Sequence, residues 1–164
     1  GISTDTGCFR YTNTTADTFR IAASLVELGC NSAYINKVMF ETKSKEKIML
    51  EREVYDTITY CADGKCAIVW VTLDMLKSLN IGEDEIEGLA SIPRQIEGVL
   101  IGITMKEKEG GFFKISVRTN GNIDAAKFCS RFGGGGHKAA AGCSVNGSLE
   151  DVRSQLIKAA EETL

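Results

Sequence analysis

"FKISVRTNGNIDAAKFCSRFGGGGHKAAAGCSV" spans residues 113–145. Its first part alternates: Ile115 and Val117 point one way, Ser116 and Arg118 the other, as in a strand over 112–119 with one buried face. "NIDAAKFCSRF" then reads as a helix capped by Asn122. Four glycines follow, Gly133 to Gly136, and they end on His137, the single histidine of the chain. "GCSV" (142–145) closes the stretch as a short strand.

Upstream, Glu109-Gly110-Gly111 is a hairpin signal joining "GVLIGITMKE" (98–107) to the strand at 112–119. "KCAIVWVTL" (65–73) is a nearly continuous β-branched apolar run, the pattern of a strand buried on both faces. "DMLKSLN" and residues 83–96, disturbed by Pro93, read as helices. Ser148-Leu149-Glu150-Asp151 opens a last helix through a capping box. From residue 65 the order is β-α-α-β-β-α-β-α, which predicts an α/β fold: a mixed β-sheet flanked by helices.

The part before residue 65 reads as helical. "TTADTFRIAASLVELG" has Thr14 or Thr15 as cap and Gly29 as a left-handed stop. "NSAYINKVMF" follows with Asn31 as cap. Residues 44 to about 60 form a partly solvated helix that suits a connector between modules. A start at "GISTDTG", without Met or a lead-in element, is the look of a piece of a longer protein.

With 43% apolar and 25% charged residues in 164, the chain has the material for a real core. A net charge of −3 argues against an extended track for long nucleic acid, though a small anion can still be held locally. The six cysteines include no C-x-x-C, so they read as reduced thiols of a cytoplasmic protein, and one histidine makes a structural zinc site improbable. No apolar run reaches a membrane span.

Chemistry concentrates around the glycine run. Bare backbone allows close approach of a ligand, and consecutive N–H groups can converge on an anion. The bland alternative is a flexible linker, but the flanks, Phe132 and "AAAG", are apolar and small. His137 is either a phosphate donor or an ordinary core histidine. Arg118 is either a solvated strand residue or a guanidinium fork for phosphate. Asp5, in "STDTG", reads first as a turn residue and second as a metal ligand.

Taken together, "TDTGCFRYTNTT", "IPRQIEGVLIGITMKE" and "FKISVRTNGNIDAAKFCSRFGGGGHKAAAGC" resemble the DHH phosphoesterases. The likeness is greatest to bacterial oligoribonucleases that also dephosphorylate 3′-phosphoadenosine 5′-phosphate. The resemblance implies that residues 1–42 are the end of a DHH catalytic domain, 43–62 a connector helix and 63–164 a DHH-associated substrate-binding domain. It implies two manganese ions in the whole enzyme, with Asp5 as one ligand. It makes Arg118, Gly133, Gly134, Gly135, Gly136 and His137 the grip on substrate phosphate, with Thr119 where the family often has Ser. Short oligoribonucleotides and a nucleoside bisphosphate are the implied ligands, with no membrane partner and with a homodimer among the allowed assemblies. No D-H-H triplet is present, so the 164 residues alone are expected to be inactive. A cyclic-dinucleotide phosphodiesterase of the same superfamily and a non-catalytic nucleotide- or RNA-binding module are the alternatives.

Overall fold

The computed structural model describes residues 1–82, 86 and 88–164. The chain falls into two compact units, Gly1–Ser44 and Lys45–Leu164.

In the first unit, α1 (Ile2–Asp5) leads into a tight loop in which Gly7, Cys8 and Phe9 all take positive φ. Gly7 is required there, because a Cβ would stand 2.4 Å from the Tyr11 ring. The Thr6 hydroxyl donates to Ile2 O and accepts the Phe9 N–H. α2 (Ala16–Glu27) starts at Thr15, which forms a reciprocal cap with Thr18, and Gly29 adopts the expected left-handed conformation. α3 (Ser32–Asn36) is capped by the Asn31 side chain and continues into a wider turn over Lys37–Glu41. Few side chains in this unit are buried. An apolar hollow of about 410 Å³ opens between Phe9, Leu25, Val26, Ile35 and Met39.

The second unit is built on a six-stranded mixed sheet. Its strands are β1 (Thr59–Cys61), β2 (Cys66–Val71), β3 (Ile101–Lys108), β4 (Phe112–Thr119), β5 (Gly135–His137) and β6 (Ala140–Asn146), in the spatial order β1-β2-β3-β4-β6-β5. Among the described residues β2 and β3 run parallel, and the other pairings are antiparallel. α4 (Lys45–Asp56) precedes the sheet, α5 (Leu73–Leu79) follows β2, α6 (Ala125–Ser130) follows β4 and α7 (Leu149–Glu161) closes the chain. The α/β fold with a mixed sheet and flanking helices is as the sequence predicts.

The two faces of the sheet are covered unequally. On one face Ile68, Ile103, Met105, Ile115, Val117 and Cys143 pack against Phe128 of α6 and Val152 and Leu156 of α7. Each such side chain contributes roughly 1.5–3 kcal/mol on burial. On the other face Val69 and Val71 of β2 pack against Leu50 and Val54 of α4, Leu76 of α5 and Leu89. That second layer covers β2, while the corresponding face of β4, β6 and β5 stays exposed or half-buried.

Three expectations need correction. The helix expected to about residue 60 ends at Asp56, and Thr59–Cys61 form an edge strand hydrogen-bonded to Cys66–Ile68. The β-branched Thr57, Ile58 and Thr59 end the helical pattern there. α6 is capped by Asp124 in place of Asn122: the Asp124 carboxylate accepts the Lys127 N–H at 3.1 Å. Of the helix expected over 83–96, residues 83–85 and 87 lie outside the described residues. The remainder forms two short 3-10 turns, Leu89–Ser91 and Pro93–Gln95, because Pro93 has no N–H to continue an α-helical ladder.

All six cysteines are free. Cys61 and Cys66 face each other across the β1–β2 hairpin. Burial, first, and then the neighbouring Cys61 push the Cys66 thiol far up from its ordinary value, so it is held protonated.

Candidate functional site

The strand register brings distant residues into rows. Gly102 pairs with Arg118, Arg118 with Ala140, and Ala140 with His137, a single row across β3, β4, β6 and β5. Directly opposed residues share a face, so Arg118 and His137 stand on the same side of the sheet, two strands or ~10 Å apart. The next row is Thr104, Ser116, Gly142 and Gly135. The floor between the arginine and the histidine is therefore Ala140 and Gly142, without a bulky side chain. Arg118 is half-buried and its Nη1 donates to Val117 O at 3.1 Å, while His137 is exposed.

The glycine run has a different structural character from an open loop. Gly135, Gly136 and His137 form the edge strand β5. Gly134 must lack a Cβ because that atom would sit 2.2 Å from Gly142 O and 2.4 Å from Cys143 Cβ. Gly136 combines a φ of 148° with a would-be Cβ 2.7 Å from Ala140 O. Two of the glycines are thus demanded by the approach of β6. Gly135, by contrast, faces open space.

Thr119 locks this arrangement from beneath. It is buried, and its hydroxyl lies 3.0 Å from Ile123 O and 3.1 Å from Lys138 O. Its N–H donates to Ala139 O, and Lys138 O also accepts the Ala125 N–H at 2.8 Å. The residue after Arg118 therefore pins the residues after His137. A Thr119→Val variant, isosteric but without the hydroxyl, should lose about 1–2 kcal/mol in urea denaturation, and Thr119→Ser should retain most of it.

A neighbour of the row escaped the sequence reading. A Cβ on Gly102 would stand 2.7 Å from Arg94 N, so the Pro93–Gln95 turn rests directly on the strand beside Arg118. Asn120 Nδ2 fastens that turn by donating to Val99 O at 2.9 Å and to Arg94 O at 3.3 Å. The available signal was Gly102 itself, a glycine in a strand interior, which marks close approach of another backbone.

Asp5 closes α1, is exposed, and its Oδ2 accepts from Asn13 Nδ2 at 3.2 Å. No group of three or more His, Cys, Asp or Glu able to hold a metal occurs among the described residues. Asp5 is a single carboxylate donor. Among the described residues no helix is long and apolar enough to cross a membrane.

The chain is 30% identical, over its full length, to the bifunctional oligoribonuclease and PAP phosphatase NrnA of Thermus thermophilus, of which the alignment covers 49%. An exopolyphosphatase-related protein from Bacteroides fragilis superposes with a TM-score of 0.87 at 25% identity, over 99% of this chain and 48% of that one. A pGpG-specific phosphodiesterase from Vibrio cholerae shares the fold at 12% identity, with a TM-score of 0.53 over 90% of this chain and 52% of that one. The chain spans about half the length of the curated relatives it matches. Residues 63–164, which contain the whole Arg118–His137 row, match the model of the DHHA1 domain, and the chain belongs to that family.

Proposed function

We propose that this chain is the substrate-holding part of a phosphoesterase acting on short oligoribonucleotides and on 3′-phosphoadenosine 5′-phosphate. One observation carries the reading: the register of four strands sets Arg118 and His137 over a floor of small residues on the uncovered half of the sheet. A guanidinium presents a planar fork to phosphate, and an imidazole adds a donor from the far side. Gly135 leaves open space beside this grip, whereas the Gly133 and Gly134 N–H groups donate to Ser130 O and Cys129 O and are not donors to the ligand. An acidic protein suits such a ligand, because a short substrate needs a pocket and no long basic track.

In this reading Lys45–Leu164 is the substrate-binding module and Gly1–Ser44 belongs to the catalytic one. The scarcity of buried side chains and the open apolar hollow of the first unit support its being part of a larger body. Manganese ions would be the Lewis acids of hydrolysis, and Asp5 would give them one carboxylate, with the remaining ligands supplied by residues other than these 164. The six free thiols and the RNA substrates suit the cytoplasm.

Titration calorimetry with adenosine 3′,5′-bisphosphate tests the grip. Saturable binding that Arg118→Ala weakens is expected, and affinity that climbs without limit as RNA lengthens would point to a general RNA-binding module. A second assay concerns catalysis. The 164-residue chain with manganese should leave a dinucleotide intact over hours, and measurable turnover would overturn the assignment of the metal centre.

A further inference from the structure

The uncovered face continues well beyond the Arg118–His137 row. Along β4 the residues on that side are Arg118, Ser116, Lys114 and Phe112, a run of ~20 Å at the strand rise. Their partners on β6 are Ala140, Gly142, Ser144 and Asn146. Their partners on β3 are Gly102, Thr104, Lys106 and Lys108. These positions hold Lys106, Lys108, Lys114 and Arg118 and not one carboxylate, on a protein whose net charge is −3.

Two details mark the distal end. Lys114 sits directly across from Lys106, so two cationic side chains stand side by side on this face. Lys106 Nζ donates to Ile86 O at 3.4 Å, and Lys114 is exposed and flanked by Ser144. Phe112 is half-buried yet belongs to neither hydrophobic cluster, although its neighbour Phe113 is deep in one. An aromatic ring on a basic sheet face, outside the core, is the arrangement on which a nucleobase stacks.

We infer that Lys114 and Phe112 form a distal subsite for the phosphate and base of a nucleotide further along a bound oligoribonucleotide. The inference rests on the proposed grip at Arg118 and His137 and extends it. A nucleoside bisphosphate fills the proximal end alone. An oligoribonucleotide lies along β4, its next backbone charge near Lys114 and a base against Phe112. The distal end thereby separates the two ligands the face would serve.

The test is calorimetric titration of the full chain with adenosine 3′,5′-bisphosphate and with di- to pentaribonucleotides, for wild type, Lys114→Ala, Phe112→Ala, Phe112→Trp and Arg118→Ala. Phe112→Ala and Lys114→Ala should each weaken the longer ribonucleotides roughly 5- to 100-fold and leave the bisphosphate unchanged, which also shows that both variants fold. Phe112→Trp should restore affinity, and wild-type affinity should reach a plateau within this length range. Equal losses for bisphosphate and oligonucleotide, or no loss for the oligonucleotide, overturn the distal subsite while leaving the proximal grip standing. If wild type binds no bisphosphate and Arg118→Ala alters nothing, the proximal reading falls and the distal one with it.

Discussion

Gly134→Ala should lower the melting temperature of the chain by on the order of 10 °C and strip it of phosphate-ligand binding. The added Cβ would meet Gly142 O at 2.2 Å, Cys143 Cβ at 2.4 Å and Cys143 Cα at 2.8 Å. All three belong to β6, whose other side is fixed by β4, so nothing flexible can move aside. Overpacking against backbone of this kind costs about 3 kcal/mol, the upper end of the usual range. The strain is relieved by moving β5 off β6, and β5 carries His137. Gly135→Ala is the informative partner. It has open space and an unrestricted φ, so its stability should match wild type. Its methyl group lands on the same face as His137, in the ligand's path. Scanning calorimetry with bisphosphate titration reads both variants. A thermally normal Gly134→Ala would refute the packing argument. A Gly135→Ala chain that binds normally would show that the ligand does not touch the glycines.

Arg118→Ala should weaken adenosine 3′,5′-bisphosphate roughly 10- to 100-fold, the loss expected on removing hydrogen bonds to a charged group in a half-open site. The core should be indifferent, since Arg118 lies on the face opposite Ile115 and Val117. Arg118→Lys separates charge from shape. An ammonium keeps the attraction but loses the planar fork, so its affinity should fall between the other two. Affinity of the lysine variant equal to wild type would mean that only charge matters and that two-point phosphate recognition is absent. Unchanged affinity in the alanine variant would remove Arg118 from the site.

Much of this was legible beforehand, for local reasons. Alternation in "KISVRT" located β4 and told apart its two faces, and the Glu109-Gly110-Gly111 signal gave the β3–β4 hairpin. Asn31 and Ser148 cap the helices expected of them, and of Thr14 and Thr15 it is Thr15 that caps α2. Asn122 misled because Asp124, two residues on, offers the same chemistry, while the intervening Ile123 carbonyl accepts from the Thr119 hydroxyl. The meeting of Arg118 with His137 could not be read from spacing. It depends on β6 lying between β4 and β5, which is a fact of pairing order. Nor could the need for Gly134 be read, because the atoms that forbid a side chain there come from residues 142 and 143. The bare backbone that suggested a ligand serves first to let one strand lie against another.

The lopsided covering of the sheet carries an evolutionary consequence. Phe113, Ile115 and Val117 are committed to the core, and altering any of them taxes the whole unit. Phe112, Lys114, Ser116 and Arg118 interleave with them on the same strand yet answer to no packing partner of that core. On the reading proposed above, stability and ligand choice are written on alternate residues of one strand. Selection can redraft the second text while leaving the first intact, so the plate is free to acquire new phosphorylated ligands by a few surface replacements at little risk to folding.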